Sequence, residues 1–209
     1  MTLFIMNKEI FINLAKTFNE NRFRLYIIGG TSRDFLLGLN ALDYDFVTDA
    51  TPDDMKKFLV NANYTFAKFG TVRLKIDNFH VDITTMRIEG EYKDYRHPSK
   101  ITYVKDIYQD YVRRDFTINA IYIDEKFNVI DPSGLGIKDL NNKIIRFIGD
   151  PEKRIKEDPL RIVRAERFES KLNFKIEDNS YLAIKKYRFL LDELNPDKIN
   201  EEKRKMNKN

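Results

Sequence analysis

Two aspartates separated by one residue, Asp43 and Asp45 in the run Leu42-Asp43-Tyr44-Asp45-Phe46-Val47-Thr48, are the side chains best placed to do chemistry. The run alternates apolar and acidic positions, the period of a half-buried strand, and side chains at i and i+2 of a strand project from one face. Two carboxylates on one face repel each other unless a cation lies between them. A hard divalent ion such as Mg²⁺ takes oxygen ligands and would bridge this pair to a triphosphate, neutralising charge on the attacking and leaving oxygens of phosphoryl transfer. The spacing is common by chance, and a pair of solvated aspartates on an exposed strand is the alternative. Asp82, in Phe79-His80-Val81-Asp82-Ile83, is a third candidate: a further metal ligand, a group that polarises an attacking hydroxyl, or a buried structural carboxylate.

Gly29 and Gly30 follow a short apolar run, Arg24 to Ile28, and precede Arg33 and Asp34. Paired glycines let backbone N–H groups approach a phosphate, and a helix N-terminus adds partial positive charge. A simple strand-to-helix turn would need no more than this. The order strengthens the functional reading, because a phosphate cradle directly before a carboxylate strand makes one unit.

These residues need elements to hold them. Apolar residues at helical spacing predict a helix over 7–20 (Ile10, Phe11, Leu14, Phe18), and a second over 31–38 that starts at the glycine turn and stops at Gly38. Strands are expected at 24–28 and 42–48, a helix start at Thr51-Pro52, and a hairpin of 69–76 with 79–86 around Asp77-Asn78. The polar stretch 87–100 reads as a loop, 106–120 as one or two short helices, and 120–123 with 129–130 as a small hairpin. Helices are expected over 150–172 and 178–192, followed by a charged end that is solvated or disordered or offers weak phosphate contacts through Lys203, Arg204, Lys205 and Lys208. The fold class is α+β, with a mixed-sheet part over 1–148 and a small helical part over 149–209.

Composition narrows the function. The 209 residues are 42% hydrophobic and 33% charged, which suits a folded chain with a core, and a net charge of +4 is mild evidence for a polyanionic partner. With no cysteine, disulfides, thiolate metal sites and cysteine catalysis are excluded. His80 and His97 are too few for a multi-histidine site, so a bound metal falls to carboxylates. The start of the chain lacks a signal-peptide pattern and no apolar run approaches the ~18 residues of a membrane span, so a cytoplasmic protein is expected.

The segment GGTSRDFLLGLNALDYDFVT resembles the opening motif of class II tRNA nucleotidyltransferases and bacterial poly(A) polymerases, within the polymerase-β-like nucleotidyltransferase superfamily. DITTMRIEGEYKDYRHP, RRDFTINAIYID and GDPEKRIKEDPLRIVRAERF match further motifs in the same order, over residues 25 to 176. The resemblance implies a nucleotidyltransferase head followed by a nucleotide-selecting neck. It gives Asp43 and Asp45 the catalytic metals and Gly29, Gly30, Arg33 and Asp34 the phosphate side of the pocket. Arg113, Arg114, Asp115 and Asn119 would hold ribose and triphosphate, with Asp115 telling ribose from deoxyribose. Gly149, Asp150 and Arg154 match the motif joining head to neck, and Glu157, Asp158 and Arg161, with Arg164 beyond them, match the nucleotide-selecting motif. Asp94 and Arg96 fall in the family's flexible loop, where His97 reads as structural or RNA-facing.

Base chemistry supports the selecting motif. Cytosine and adenine both present an amine donor beside a ring-nitrogen acceptor, so an aspartate accepting and an arginine donating would suit both. Uracil and guanine would leave buried polar groups unpaired, at about 1–3 kcal/mol each. Asp158 and Arg161 are three apart, neighbours on a helix. On spacing alone, Asp158 before Pro159 is also a helix N-cap, and the arginines a basic face. The activity implied is template-independent addition of CCA to the tRNA 3′ end from CTP and ATP with Mg²⁺. The alternatives are poly(A), CC-only or A-only addition, or a non-catalytic RNA-binding remnant. The family is usually much longer, so this chain resembles a short member without most of the body and tail. An oligomer or a partner subunit would then replace the missing tRNA grip. Asp197, Lys198 and Glu202 form a degenerate version of a further neck motif.

Overall fold

The computed structural model describes residues 8–40, 43–92 and 98–206. Contacts divide the chain into two compact units: Met1–Ile88, Ile101–Tyr111 and Asn119–Pro132 in the first, and Glu89–Lys100, Val112–Ile118 and Ser133–Asn209 in the second. The division expected between 148 and 149 lies inside the second unit. Helical composition begins near 150, but segments distant in sequence join those helices, and no composition shift marks them.

In the first unit, helix α1 (Lys8–Glu20) buries the stripe Ile10, Phe11, Leu14, Ala15 and Phe18. Strand β1 (Leu25–Ile27) leads into helix α2 (Gly29–Leu36), then strand β2 (Asp43–Thr48) and the short helix α3 (Pro52–Met55). Strands β3 (Thr71–Ile76) and β4 (Phe79–Thr85) form the expected hairpin, with Asp77 left-handed at φ 53° in its turn. Strand β5 (Arg87–Glu89), whose last residue is counted in the second unit, strand β6 (Ile101–Tyr103), helix α4 (Ile107–Asp110), and the hairpin β7 (Tyr122–Ile123) and β8 (Val129–Ile130) follow. The main sheet is mixed, in the order β3-β4-β2-β1-β7-β8, with β2 parallel to β4 and antiparallel to β1.

One sheet face packs on α1 around Phe11, whose ring lies 5.3 Å from that of Phe46. Tyr44, Phe46, Val72, Val81 and Ile83 join this core and are at most 1% exposed. Each fully buried large apolar side chain contributes roughly 1.5–3 kcal/mol, which fixes the strand register and so decides which side chains face out.

Local differences from expectation have local causes. Helix α2 begins at Gly29 rather than after the glycines, so Gly29 and Gly30 form its first turn. The stretch 87–100 is not all loop: it holds β5, a Tyr92–Pro98 bridge and a Gly90 N–H to Lys100 carbonyl bond of 2.9 Å. Its side chains are too polar to show strand periodicity. Asp94, Arg96 and His97 lie outside the described residues.

The second unit contains helix α5 (Gly136–Asn141), strand β9 (Ile144–Ile145), helices α6 (Pro151–Glu157) and α7 (Leu160–Leu172), strand β10 (Lys175–Ile176), and helices α8 (Asp178–Tyr187) and α9 (Pro196–Arg204). Phe116, Phe147 and Phe168 pack ring against ring, with centroids 5.0 and 5.6 Å from that of Phe116. The helix expected over 150–172 is two helices, because Pro159 has no N–H to continue α6. Much of the charged end is folded: α9 buries Glu202, while Lys208 lies outside the described residues. Among the described residues no helix is long and apolar enough to cross a membrane.

Candidate active site

Strand β2 alternates as its sequence requires. Tyr44 and Phe46 point into the core, while Asp43 and Asp45 share the exposed face. The glycine turn is directly beside them. Gly29 sits at φ +70°, and a Cβ there would lie 3.1 Å from Asp45 Oδ2. A side chain at that position would be strained by the backbone and crowded by the carboxylate.

A residue not singled out in the sequence locks this arrangement. Thr31, 2% exposed, accepts the Asp45 backbone N–H at 2.7 Å and donates to the Asp43 carbonyl at 3.3 Å. The Ser32 hydroxyl donates to the Gly29 carbonyl at 3.2 Å, and the Ile28 N–H donates to the Asp45 carbonyl at 3.0 Å. The signal available in the sequence was two small hydroxyl residues directly after the glycine pair.

Arg33 is buried next to the turn. Its Nε donates to Asp34 Oδ1 and its Nη1 to Asn119 Oδ1, both at 2.8 Å. Asp82 lies in register with Asp45 on the neighbouring strand, and its Oδ1 is 3.0 Å from Arg73 Nε. Arg73, not singled out in the sequence, is thus the partner of Asp82.

The remaining candidates belong to the second unit. Asp115 is held by Arg164, whose Nε donates to Oδ2 at 2.9 Å, and it also accepts the Phe116 N–H at 2.8 Å. Burial alone would raise the Asp115 pKa; the Arg164 charge and hydrogen bonds outweigh it and hold the carboxyl down at about 2. Arg164 is pushed up by the same partner against the opposing effect of burial. Arg161 is buried and donates to the Arg154 carbonyl at 2.9 Å and to Glu157 Oε2 at 3.0 Å. Asp158 Oδ1 accepts the Leu160 N–H at 3.1 Å, so it caps the start of α7 whatever else it binds.

Further residues brace this cluster. Arg154 donates to Glu157 and to the carbonyls of Arg113 and Arg114, tying down the backbone before Asp115. Burial, and then the neighbouring Arg161 charge, press the Arg154 pKa downward. Glu89 Oε1 lies 3.5 Å from Arg113 Nη1, and Tyr92 donates its hydroxyl to Glu89. Glu202 lies 3.1 Å from Arg167 Nε and 2.7 Å from Lys205 Nζ. A cavity of about 630 Å³ is lined by Tyr92, Asp150, Lys153, Lys156 and Glu157 among others. The run Arg113-Arg114-Asp115-Phe116-Thr117-Ile118-Asn119 is divided: Asp115 belongs with Arg164, and Asn119 with Arg33.

A mixed sheet that presents a D-x-D pair beside a helix-opening glycine turn defines a nucleotidyltransferase head. Residues 25–146 match the family described as Poly A polymerase head domain, and the chain belongs to that family. A CCA-adding enzyme of Lactobacillus helveticus (strain DPC 4571) is 39% identical over 201 residues, covering 95% of this chain and 50% of that protein. The crystal structure of the Bacillus stearothermophilus CCA-adding enzyme in complex with CTP superposes with a TM-score of 0.87 at 31% identity, over 96% of this chain and 49% of that one. A tRNA nucleotidyltransferase complexed with a primer tRNA and an incoming ATP analog gives a TM-score of 0.73 at 32% identity, over 92% and 54%. The chain spans about half the length of the curated relatives it matches.

Proposed function

We propose that this chain is the catalytic part of a template-independent RNA nucleotidyltransferase that adds CCA, from CTP and ATP, to the tRNA 3′ end. The observation that carries the reading is the seating of Asp45 over Gly29, with Asp43 on the same exposed face. The relatives named CCA-adding enzyme, and the solved relatives holding CTP or a primer tRNA with an ATP analog, support the substrate class.

Nucleotidyltransferases of this family generally use divalent metal ions, and Mg²⁺ is the ion proposed here. Asp43 and Asp45 fit it as an all-oxygen donor pair on one face. Among the described residues no group of three or more acidic or histidine side chains offers a metal cage, so substrate phosphates and water would supply the other oxygens. When bound, the ion stabilises negative charge on the reacting phosphate. The protein's own contribution is positional. Thr31 holds the backbone of Asp43 and Asp45, and Gly29 leaves room for the Asp45 carboxylate, at the start of α2, whose first-turn N–H groups suit a phosphate. Asp158 and Arg161 are proposed to select C and A, Asp115 and Arg164 to meet the sugar and phosphates, and Asp94 and Arg96 to act in the loop that adjusts the pocket.

The test is incorporation of labelled CTP and ATP into a tRNA transcript lacking its CCA, with the products sequenced. Addition of C, C and A in order is expected. Products ending in poly(A), in CC alone or in A alone would replace this reading with the corresponding enzyme, and RNA binding without incorporation would overturn catalysis.

A further inference from the structure

We propose that the exposed margin of β3 and β4, carrying Lys75, His80 and Arg73, binds the phosphate backbone of the RNA being extended. The inference rests on the nucleotidyltransferase reading and adds the direction from which the RNA arrives.

Two rows of side chains cross the sheet. In one, Lys75 pairs with His80 and His80 with Asp43; in the other, Arg73 pairs with Asp82 and Asp82 with Asp45. Laterally paired residues share a face. Burial agrees: Val72 and Val81 are in the core, whereas Arg73, Lys75 and His80 are exposed. All three therefore lie on the surface that carries the catalytic carboxylates.

The sheet order makes the two sides of β2 unequal. The glycine turn follows β1 on one flank, and β4 and β3 form the other. A triphosphate cradled at Gly29 and Gly30 directs its leaving group toward the β1 flank. In-line transfer places the entering and leaving oxygens on opposite sides of the α-phosphorus. The RNA 3′-oxygen forms its bond to that phosphorus as the bond to the pyrophosphate oxygen breaks, and the hydroxyl proton leaves to solvent. The RNA end must then arrive over β4 and β3.

The groups found there suit a polyanion. Lys75 stands two strand spacings from Asp43, roughly 10 Å, within reach of the nucleotides that precede the terminal one. Arg73 lies 4.2 Å above the Phe66 ring and spends its Nε on Asp82, and its other guanidinium N–H groups are donors of the kind that bind phosphate. A charged edge strand can also serve only to prevent edge-to-edge pairing, and the experiment separates the two roles.

Single CMP addition to a tRNA transcript lacking CCA is measured for the wild-type chain, Lys75→Ala, Lys75→Arg and Lys75→Ala/His80→Ala, with RNA varied at saturating CTP and CTP varied at saturating RNA. The double variant is expected to raise the KM for RNA about tenfold while kcat and the KM for CTP stay within about twofold. Its log KM against log salt should be shallower by about 0.7 for each RNA phosphate that the variant no longer neutralises, and Lys75→Arg should restore both. An unchanged RNA KM and salt slope in a double variant with wild-type melting overturns the proposal. A wild-type chain that adds no nucleotide overturns the functional reading instead. RNA affinity by fluorescence anisotropy then decides the margin, and equal affinity of the wild-type and double variant rejects it.

Discussion

The Thr31 hydroxyl, buried at the start of α2, accepts the Asp45 backbone N–H at 2.7 Å and donates to the Asp43 carbonyl at 3.3 Å. One side chain thereby joins helix α2 to the backbone of both Asp43 and Asp45. Thr31→Val keeps the shape and removes the hydroxyl, leaving the Asp45 N–H without that acceptor. A loss of about 1–3 kcal/mol is expected by chemical denaturation, together with slower incorporation. Thr31→Ser should recover most of both. Wild-type stability in the valine variant would show that this lock contributes nothing.

Asp43→Ala and Asp45→Ala should each lower CMP and AMP incorporation by at least about a hundredfold. The Asp43 side chain is on the exposed face, so its replacement should change stability by no more than about 0.5 kcal/mol, and because Asp45 also packs against Gly29, melting of its variant is followed beside activity. Robust incorporation by either variant would remove the metal assignment.

Gly29 and Gly38 offer a matched pair. Both have positive φ, +70° and +69°, but a Cβ at Gly29 meets Asp45 Oδ2 at 3.1 Å whereas one at Gly38 meets nothing within 4 Å. Alanine at either should cost about 1–2 kcal/mol from the left-handed backbone. Only Gly29→Ala should also impair incorporation, by displacing the carboxylate. Equal activity in the two variants would separate the glycine turn from the chemistry.

Asp115 carries a pH signature. Its folded pKa of about 2 lies below the ordinary 3.8. A depressed carboxylate contributes stability in full above its unfolded pKa, and that contribution is lost as pH falls through the folded one. Denaturation of wild type between about pH 5 and pH 2 should therefore lose on the order of 2 kcal/mol more than that of Asp115→Asn. Parallel losses would contradict the pairing with Arg164.

Arg161→Ala tests nucleotide selection. The guanidinium is buried and bonded to Glu157, so melting must be followed beside incorporation of all four nucleoside triphosphates. Lost activity, or lost preference for C and A over U and G by about tenfold or more, is expected in molecules that remain folded. Unchanged selectivity would end the proposal that Asp158 and Arg161 read the base.

The sequence by itself determined β2 and its two-faced pattern, the β3–β4 hairpin, the glycine turn and the helical character of the later chain. These follow from periodicities of two and 3.6 residues and from turn residues, all read within a few neighbours. The tertiary structure decided which distant groups meet. Thr31 gained its role only when α2 lay beside β2, Arg73 when the strand register brought it to Asp82, and Asp115 when Arg164 came within hydrogen-bond reach. It also decided that Pro196–Arg204 forms α9 and buries Glu202 among Arg167 and Lys205. Local pattern records what one residue prefers of its neighbours in the chain. Ion pairs and register are properties of two segments at once, and only folding chooses the second.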